Sequence, residues 1–287
     1  MKFRKSTRIL LLFMALPFIS LAQDWHVGAF VGITNYSGDL VKQKVDLKYT
    51  RPALGLLVRR DINRYLSIRG AFTWGIVTGA DSTSSDKALL ARNLSFKSNV
   101  FEGSLIAELN FLDIEEKNFT PYVFLGVGGF GFDPFAKDLS GNKVRLRPLG
   151  TEGQGLPEYP GRQPYDLFSF SFPFGAGVKA ILNDHWTLGF EIGLRPTLTD
   201  YLDDVSTNYV DQNTLLAYRG QKSVDMAYRG DEVSGKLIPG IYPRDGEVRG
   251  SAKYKDWYSF SGVTITYRLG GSSGWGRQKA MRCPVFR

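Results

Sequence analysis

One cysteine, Cys283, stands in 287 residues, so the chain builds no internal disulfide. There are only two histidines, His26 and His185, which leaves little for imidazole catalysis or a histidine-rich metal site. No run is long and apolar enough for a helical membrane span. The most apolar stretch, residues 9–22, is too short, contains Pro17 and follows Lys2, Arg4, Lys5 and Arg8. A basic start, an apolar middle and the small-residue end Ser20-Leu21-Ala22 read as a secretory signal peptide over residues 1–22, with cleavage near Gln23. The alternative is a buried or anchoring helix. A strong charge excess is also missing. The chain carries 36 basic and 28 acidic residues, and loss of four bases with the leader leaves 32 against 28. A net +4 warrants no nucleic-acid reading.

What is abundant is alternation. Phe168, Phe170, Phe172, Phe174, Ala176, Val178, Ala180 and Leu182 share one parity. After Asn183-Asp184-His185 the pattern resumes with Trp186, Leu188, Phe190, Ile192 and Leu194. Period two over such lengths predicts strands long enough to cross a membrane when tilted. Further segments run through Trp25 to Ile33, Leu54 to Val58, Leu66 to Ile76, Phe101 to Phe111, Pro121 to Phe132 (whose faces are ambiguous) and Trp257 to Leu269. That makes about eight strands, an even number within the range of outer-membrane barrels. The expected fold is all-β: a transmembrane antiparallel up-and-down β-barrel over residues 23–269, with a periplasmic tail over 270–287.

The connections alternate in length. Tight turns follow at residues 61–64, 113–118 and 183–185. Long loops run over 37–49, 79–94, 133–165 and 199–255. Short periplasmic turns and long outer loops are a property of outer-membrane barrels, and an even strand count puts both termini in the periplasm. Trp25, Tyr65, Trp74, Tyr122, Trp186 and Trp257 are expected as membrane-interface anchors.

Charges avoid the apolar parity. Arg59, Arg69, Glu102, Glu108, Lys179, Glu191, Arg195 and Arg268 fall on the other one. A barrel of about eight strands is just wide enough for side chains to fill. These residues are expected to meet as a buried lumen network and not to line a pore; the competing reading is a solvated sheet face.

Chemistry is sparse. Both histidines map to the turn end, away from the outer rim where a barrel enzyme needs its base. There is no Gly-x-Ser-x-Gly elbow, His-Glu-x-x-His or cysteine pair, so no enzyme, metal or cofactor is expected. Gly126, Gly128, Gly129 and Gly131 superficially suggest a phosphate loop, but no basic residue or helical pattern follows. Close packing in a narrow barrel accounts for them better. Asp200, Asp203, Asp204 and Asp211 lack the glycine spacing of a calcium loop and read as a solvated outer loop. Cys283 is either inert or free to form an intermolecular disulfide.

Residues 199–211, with Asp200-Tyr201-Leu202-Asp203-Asp204-Val205 at their centre, resemble a signature of the PorG-like outer-membrane proteins of the type IX secretion system. Residues 256–267, Asn35 to Leu40, Arg51 to Leu56 and Cys283-Pro284-Val285-Phe286 are similar too. Residues 143–165 depart from the pattern. The resemblance implies a non-enzymatic outer-membrane component of a protein-export machine, associated with a periplasmic ring of the PorK lipoprotein and PorN. The turns and the tail with Cys283 are then the candidate partner contacts. Binding or transport of hydrophobic compounds, and surface adhesion, are the rival readings.

Overall fold

In the computed structural model, residues 25–41, 47–84, 86–113, 117–233 and 241–269 are described. The expected leader over 1–22, the expected tail over 270–287 and Cys283 lie outside them. The strands are β1 (Trp25–Ser37), β2 (Arg51–Asp61), β3 (Leu66–Ala80), β4 (Ser95–Asn110), β5 (Phe119–Gly131), β6 (Phe135–Lys137), β7 (Lys143–Arg145), β8 (Phe168–Ser171), β9 (Phe174–Ile181), β10 (Trp186–Pro196) and β11 (Trp257–Leu269).

β8 and β9 are one crossing. Both keep the same register against β5, with Gly131 opposite Phe168 and Leu125 opposite Phe174. Pro173 between them has no N–H to donate, yet its carbonyl still accepts from Gly126 N at 2.8 Å. The ladder therefore skips a bond without slipping. Eight crossings then form a ring of sequential antiparallel neighbours. It closes where β1 pairs with β11 along its whole length, from Trp25 opposite Leu269 to Ser37 opposite Trp257. Closure satisfies the backbone without leaving a sheet edge, as a lipid environment requires.

The pleat sorts the side chains. Leu56 is 68% exposed, Phe72 57% and Leu125 65%, while Glu102 and Glu108 are at most 1% exposed. This inverts the rule for soluble proteins, and it suits a wall that faces lipid. The ambiguous fifth strand resolves with Val123, Leu125 and Val127 outward and Tyr122, Phe124 and Phe130 inward. Tyr122 is thus a lumen residue and not an interface anchor, because this barrel needs large rings to fill its interior. The four glycines divide as well. Gly126 and Gly128 face inward, where a Cβ on Gly126 would lie 2.4 Å from Leu105 O. Gly129 and Gly131 face outward, and a Cβ on Gly129 would meet the Phe168 ring at 2.8 Å.

Two of the short turns share one device. Asn63 Oδ1 accepts from the N–H groups of Tyr65 and Leu66 at 2.9 and 2.8 Å. Asn183 Oδ1 accepts from those of His185 and Trp186, both at 2.9 Å. An asparagine side chain that mimics a backbone turn fixes each hairpin. The long connections at the other end carry the β6–β7 hairpin and three short helices: α1 (Lys87–Arg92), α2 (Gln212–Arg219) and α3 (Gln221–Ala227). Asp211 caps α2, accepting from Thr214 N at 2.8 Å, and Gly220 at φ +79° ends it.

Candidate functional site: the filled lumen and the loop cap

Inside the ring the charges meet in layers. At the turn end, His26 Nε2 lies 2.8 Å from Asp61 Oδ2, and Ser67 Oγ donates to Asp61 Oδ1 at 2.7 Å. Arg59 reaches His26 Nδ1 at 3.2 Å and Asp61 Oδ1 at 3.2 Å, and Arg268 approaches Asp61 at 4.0 Å. Both imidazole nitrogens are occupied, and the one serine near the pair is spent on the carboxylate. The imidazole is thus held between Asp61 and Arg59 and is not bonded to the Ser67 hydroxyl.

The next layer is denser. Arg69 spans the barrel, contacting Glu108 at 3.0 Å and Glu191 at 2.6 Å. Tyr122 OH donates to Glu191 at 2.7 Å. Lys179 Nζ donates to Glu108 at 2.5 Å and to Asn110 Oδ1 at 2.9 Å, and it lies over the Tyr122 ring at 4.2 Å. Higher up, Glu102 accepts from Arg195 Nε at 3.1 Å, Ser171 Oγ at 3.2 Å and Tyr258 OH at 2.5 Å. Arg195 also covers the Phe260 ring. A cavity of about 10 Å³ between these layers, lined by Arg69, Ser104, Glu191, Arg195 and Phe260 among others, has room for about one water.

All eight charges picked from parity lie in this lumen, each in an ion pair. The list of charges left out their partners His26, Asp61, Asn110, Tyr122 and Tyr258. Asp61 ends β2 and reads as a turn residue, and Tyr122 reads as an interface anchor. His185 stacks on Tyr267 at the turn end, with ring centroids 5.3 Å apart.

Above the charged layers the lumen turns apolar and merges with the loops. Phe30, Phe130, Tyr258 and Phe260 belong to one buried cluster with Leu40, Val41, Leu202, Val205 and Met226. The acidic run expected in solvent is instead buried here. Asp200, Asp203 and Asp204 are at most 3% exposed. Asp203 and Asp204 are buried with partners, a loop backbone N–H or buried hydroxyls. Asp203 accepts from Val205 N at 2.9 Å and from Tyr36 OH at 2.5 Å. Asp256 accepts from Leu202 N at 2.9 Å, and its other oxygen lies 3.0 Å from the same Tyr36 hydroxyl. Asp204 accepts from Thr151 at 2.6 Å and Tyr165 at 2.7 Å. Tyr201 stacks on Tyr165, which stacks on Phe132. Only Asp211, the α2 cap, stays at the surface.

Two buried arginines sew the loops together. Arg249 Nη1 donates to Glu152 Oε1 at 2.8 Å and to Asp204 O at 2.6 Å, and its Nε donates to Ala227 O at 3.1 Å. Glu152 in turn accepts from Ser206 N at 2.9 Å and Thr207 Oγ1 at 2.7 Å. Arg92 forks onto Asp81 at 2.7 Å twice and also donates to Arg249 O and Asp39 O. Asp39 accepts from Ser251 N at 2.8 Å. Every long loop is thus tied to another across the barrel mouth.

The cap's electrostatics follow from burial. Burial pushes the Asp200 carboxyl up to about 7. Asp204 rises to about 6, burial outweighing Arg249 and its two hydrogen bonds. Asp203 and Asp256 rise well above the usual carboxylate range through burial and then through neighbouring carboxylates. Tyr36 has a single hydroxyl proton, so its contact with the second carboxyl needs a proton on that carboxyl. Among the described residues no group of three or more His, Cys, Asp or Glu is arranged to hold a metal ion.

Residues 4–144 match a family described as Domain of unknown function (DUF6089). No curated protein matches the chain. Among solved structures, the chain is similar to Neisserial surface protein A (8% identity, TM-score 0.44, covering 86% of this chain and 97% of that one). It is similar to Ail, the attachment invasion locus protein of Yersinia pestis, solved with the heparin analogue sucrose octasulfate (9%, TM-score 0.39, 85% and 97%). It is also similar to the outer membrane protein OprG from Pseudomonas aeruginosa (12%, TM-score 0.38, 86% and 97%).

Proposed function

We propose that the chain is a non-enzymatic, non-conducting outer-membrane barrel that serves as a fixed component of the type IX protein secretion machinery and associates with its periplasmic PorK/PorN ring. The filled lumen carries the reading. Ion pairs and rings occupy the cross-section from His26 at one end to Phe30, Phe130 and Phe260 near the other, beneath a loop cap. Such a barrel can hold a place in the membrane and present its ends to partners, but it leaves no path for cargo. The link to secretion rests on the resemblance of residues 199–211. In this reading both termini face the periplasm. Tyr201 to Val205 are used up in the cap, so the ring contact falls to the opposite end: the turns at 61–65, 111–118 and 182–185, and the tail with Cys283.

Affinity purification of the tagged protein from gently solubilised membranes tests this. Ring components should co-purify, and deletion of the gene should stop export of cargo while the membrane stays intact. A preparation without the ring, together with normal secretion in the deletion strain, would end the secretion reading. A small hydrophobic compound retained in the lumen would favour transport instead. If Cys283 joins a ring subunit, a non-reducing gel shows a heavier species that Cys283→Ser removes.

A further inference from the structure

Beyond Phe101, β4 continues outward through Asn99 to Lys97. At ~3.4 Å per residue and a tilt of about 40°, Lys97 stands roughly 10 Å above Phe101. The β6–β7 hairpin joins the sheet there, with Phe135 opposite Lys97. Within the hairpin Arg145 stands opposite Phe135, and Lys143 opposite Lys137. Opposed residues of an antiparallel pair share a face. Lys97, Lys137, Lys143 and Arg145 are therefore on one face, around Phe135.

The other face of the hairpin carries Ala136 and Val144, which pack into the buried cluster. The cationic face thus looks outward, on the same side of β4 as Phe101, Leu105 and Leu109. All four cations are exposed. Arg145 pairs with Asp133 at 2.9 Å, and Lys143 lies 3.9 Å over the Phe135 ring. Lys97, Lys137 and Lys143 make no ion pair among the described residues.

Like charges placed directly opposite one another destabilise a sheet. Lysines do guard exposed edges against pairing. A Lys–Glu pair would guard this hairpin as well and would also attract across it. Same-sign placement makes sense when the counter-charge comes from outside. Its height selects the source: the face begins just past Trp74 and Phe101, where an apolar belt gives way to headgroups.

We propose that this face binds the phosphate-bearing headgroup of an anionic lipid at the outer edge of the membrane. Lys97, Lys137 and Lys143 supply the charge, and Phe101 and Phe72 meet the acyl chains below. The proposal rests on the strands spanning a bilayer, but not on any role in secretion.

The test uses the full chain inserted in vesicles. Quenching of its tryptophans by brominated phosphatidylglycerol is compared with quenching by brominated phosphatidylcholine. The unaltered protein should prefer the anionic lipid by about tenfold at low salt, a preference that 1 M salt removes. The triple variant K97Q/K137Q/K143Q should lose it, whereas K253Q/K255Q, in another loop, should keep it. A heat-modifiable band in neutral lipid checks that each variant has folded. Failure of the unaltered chain to insert in neutral lipid would refute the membrane reading itself. Insertion with equal quenching by both lipids would overturn the headgroup site and leave the lysines as an edge guard. Full competition by millimolar inorganic phosphate would also overturn it, because the site would then be for a free anion.

Discussion

Arg69 holds two strands' carboxylates at once, Glu108 on β4 and Glu191 on β10, from a position where water is nearly excluded. Removing one member of such a set costs more than the set contributes, because the remaining charge stays buried. Glu191→Leu leaves Arg69 and the Tyr122 hydroxyl short of a partner, with an expected loss of about 3–5 kcal/mol. Urea titration of the heat-modifiable band in vesicles reads that loss. Arg69→Leu combined with Glu191→Leu should recover part of it, since Glu108 keeps Lys179. Equal midpoints for the parent and Glu191→Leu would mean that water reaches the pair. That these residues face inward was legible from parity alone. Which partners they take was not: Arg69 and Glu191 are 122 residues apart, and their meeting depends on barrel stagger and diameter.

At the scale of elements, the loop cap behaves as a second core laid over the first. Arg249→Ala removes ties to Glu152, Asp204 and Ala227 together, so residues 199–207 should exchange amide hydrogens at least tenfold faster, while β1 and β11 stay protected. Acidity should act on the same element. Asp200 and Asp204 bind protons more tightly in the cap, at about 7 and about 6, than in released loops, where carboxylates titrate near 3.8. Released loops thus ionise first as pH rises, and these two carboxyls withdraw stability from the cap as pH rises from about 4 to 7. Hydrogen exchange corrected for its intrinsic pH dependence should show this slope, flattened below pH 6 by Asp204→Asn. Cap stability that grows with pH across that window would contradict it. Little of the cap could be read beforehand. Loops lack a period, and a run such as Tyr201 to Val205 looks solvated when its acids are counted. The clue lay in Leu202, Val205 and Tyr209, apolar residues interspersed among the aspartates and buried in the structure.

For the molecule as a whole, one inversion governs the design: apolar side chains line the outer wall and charges fill the inside. Period two revealed the barrel because a lipid-facing wall demands large apolar residues at every second position, as at Phe168 to Leu182. It blurred only where the interior also needed rings, at Tyr122, Phe124 and Phe130. Leu125→Arg on the wall should cost about 2–4 kcal/mol of folding free energy in vesicles. The same substitution at Leu139, 81% exposed at the tip of the β6–β7 hairpin, should cost little. Loss at both sites alike would dissolve the distinction between wall and loop. The filled lumen is the claim on which the rest depends, and planar-bilayer recording of the purified full chain tests it most directly. The account predicts a baseline indistinguishable from lipid alone, and stable unitary current steps from the folded protein would contradict it.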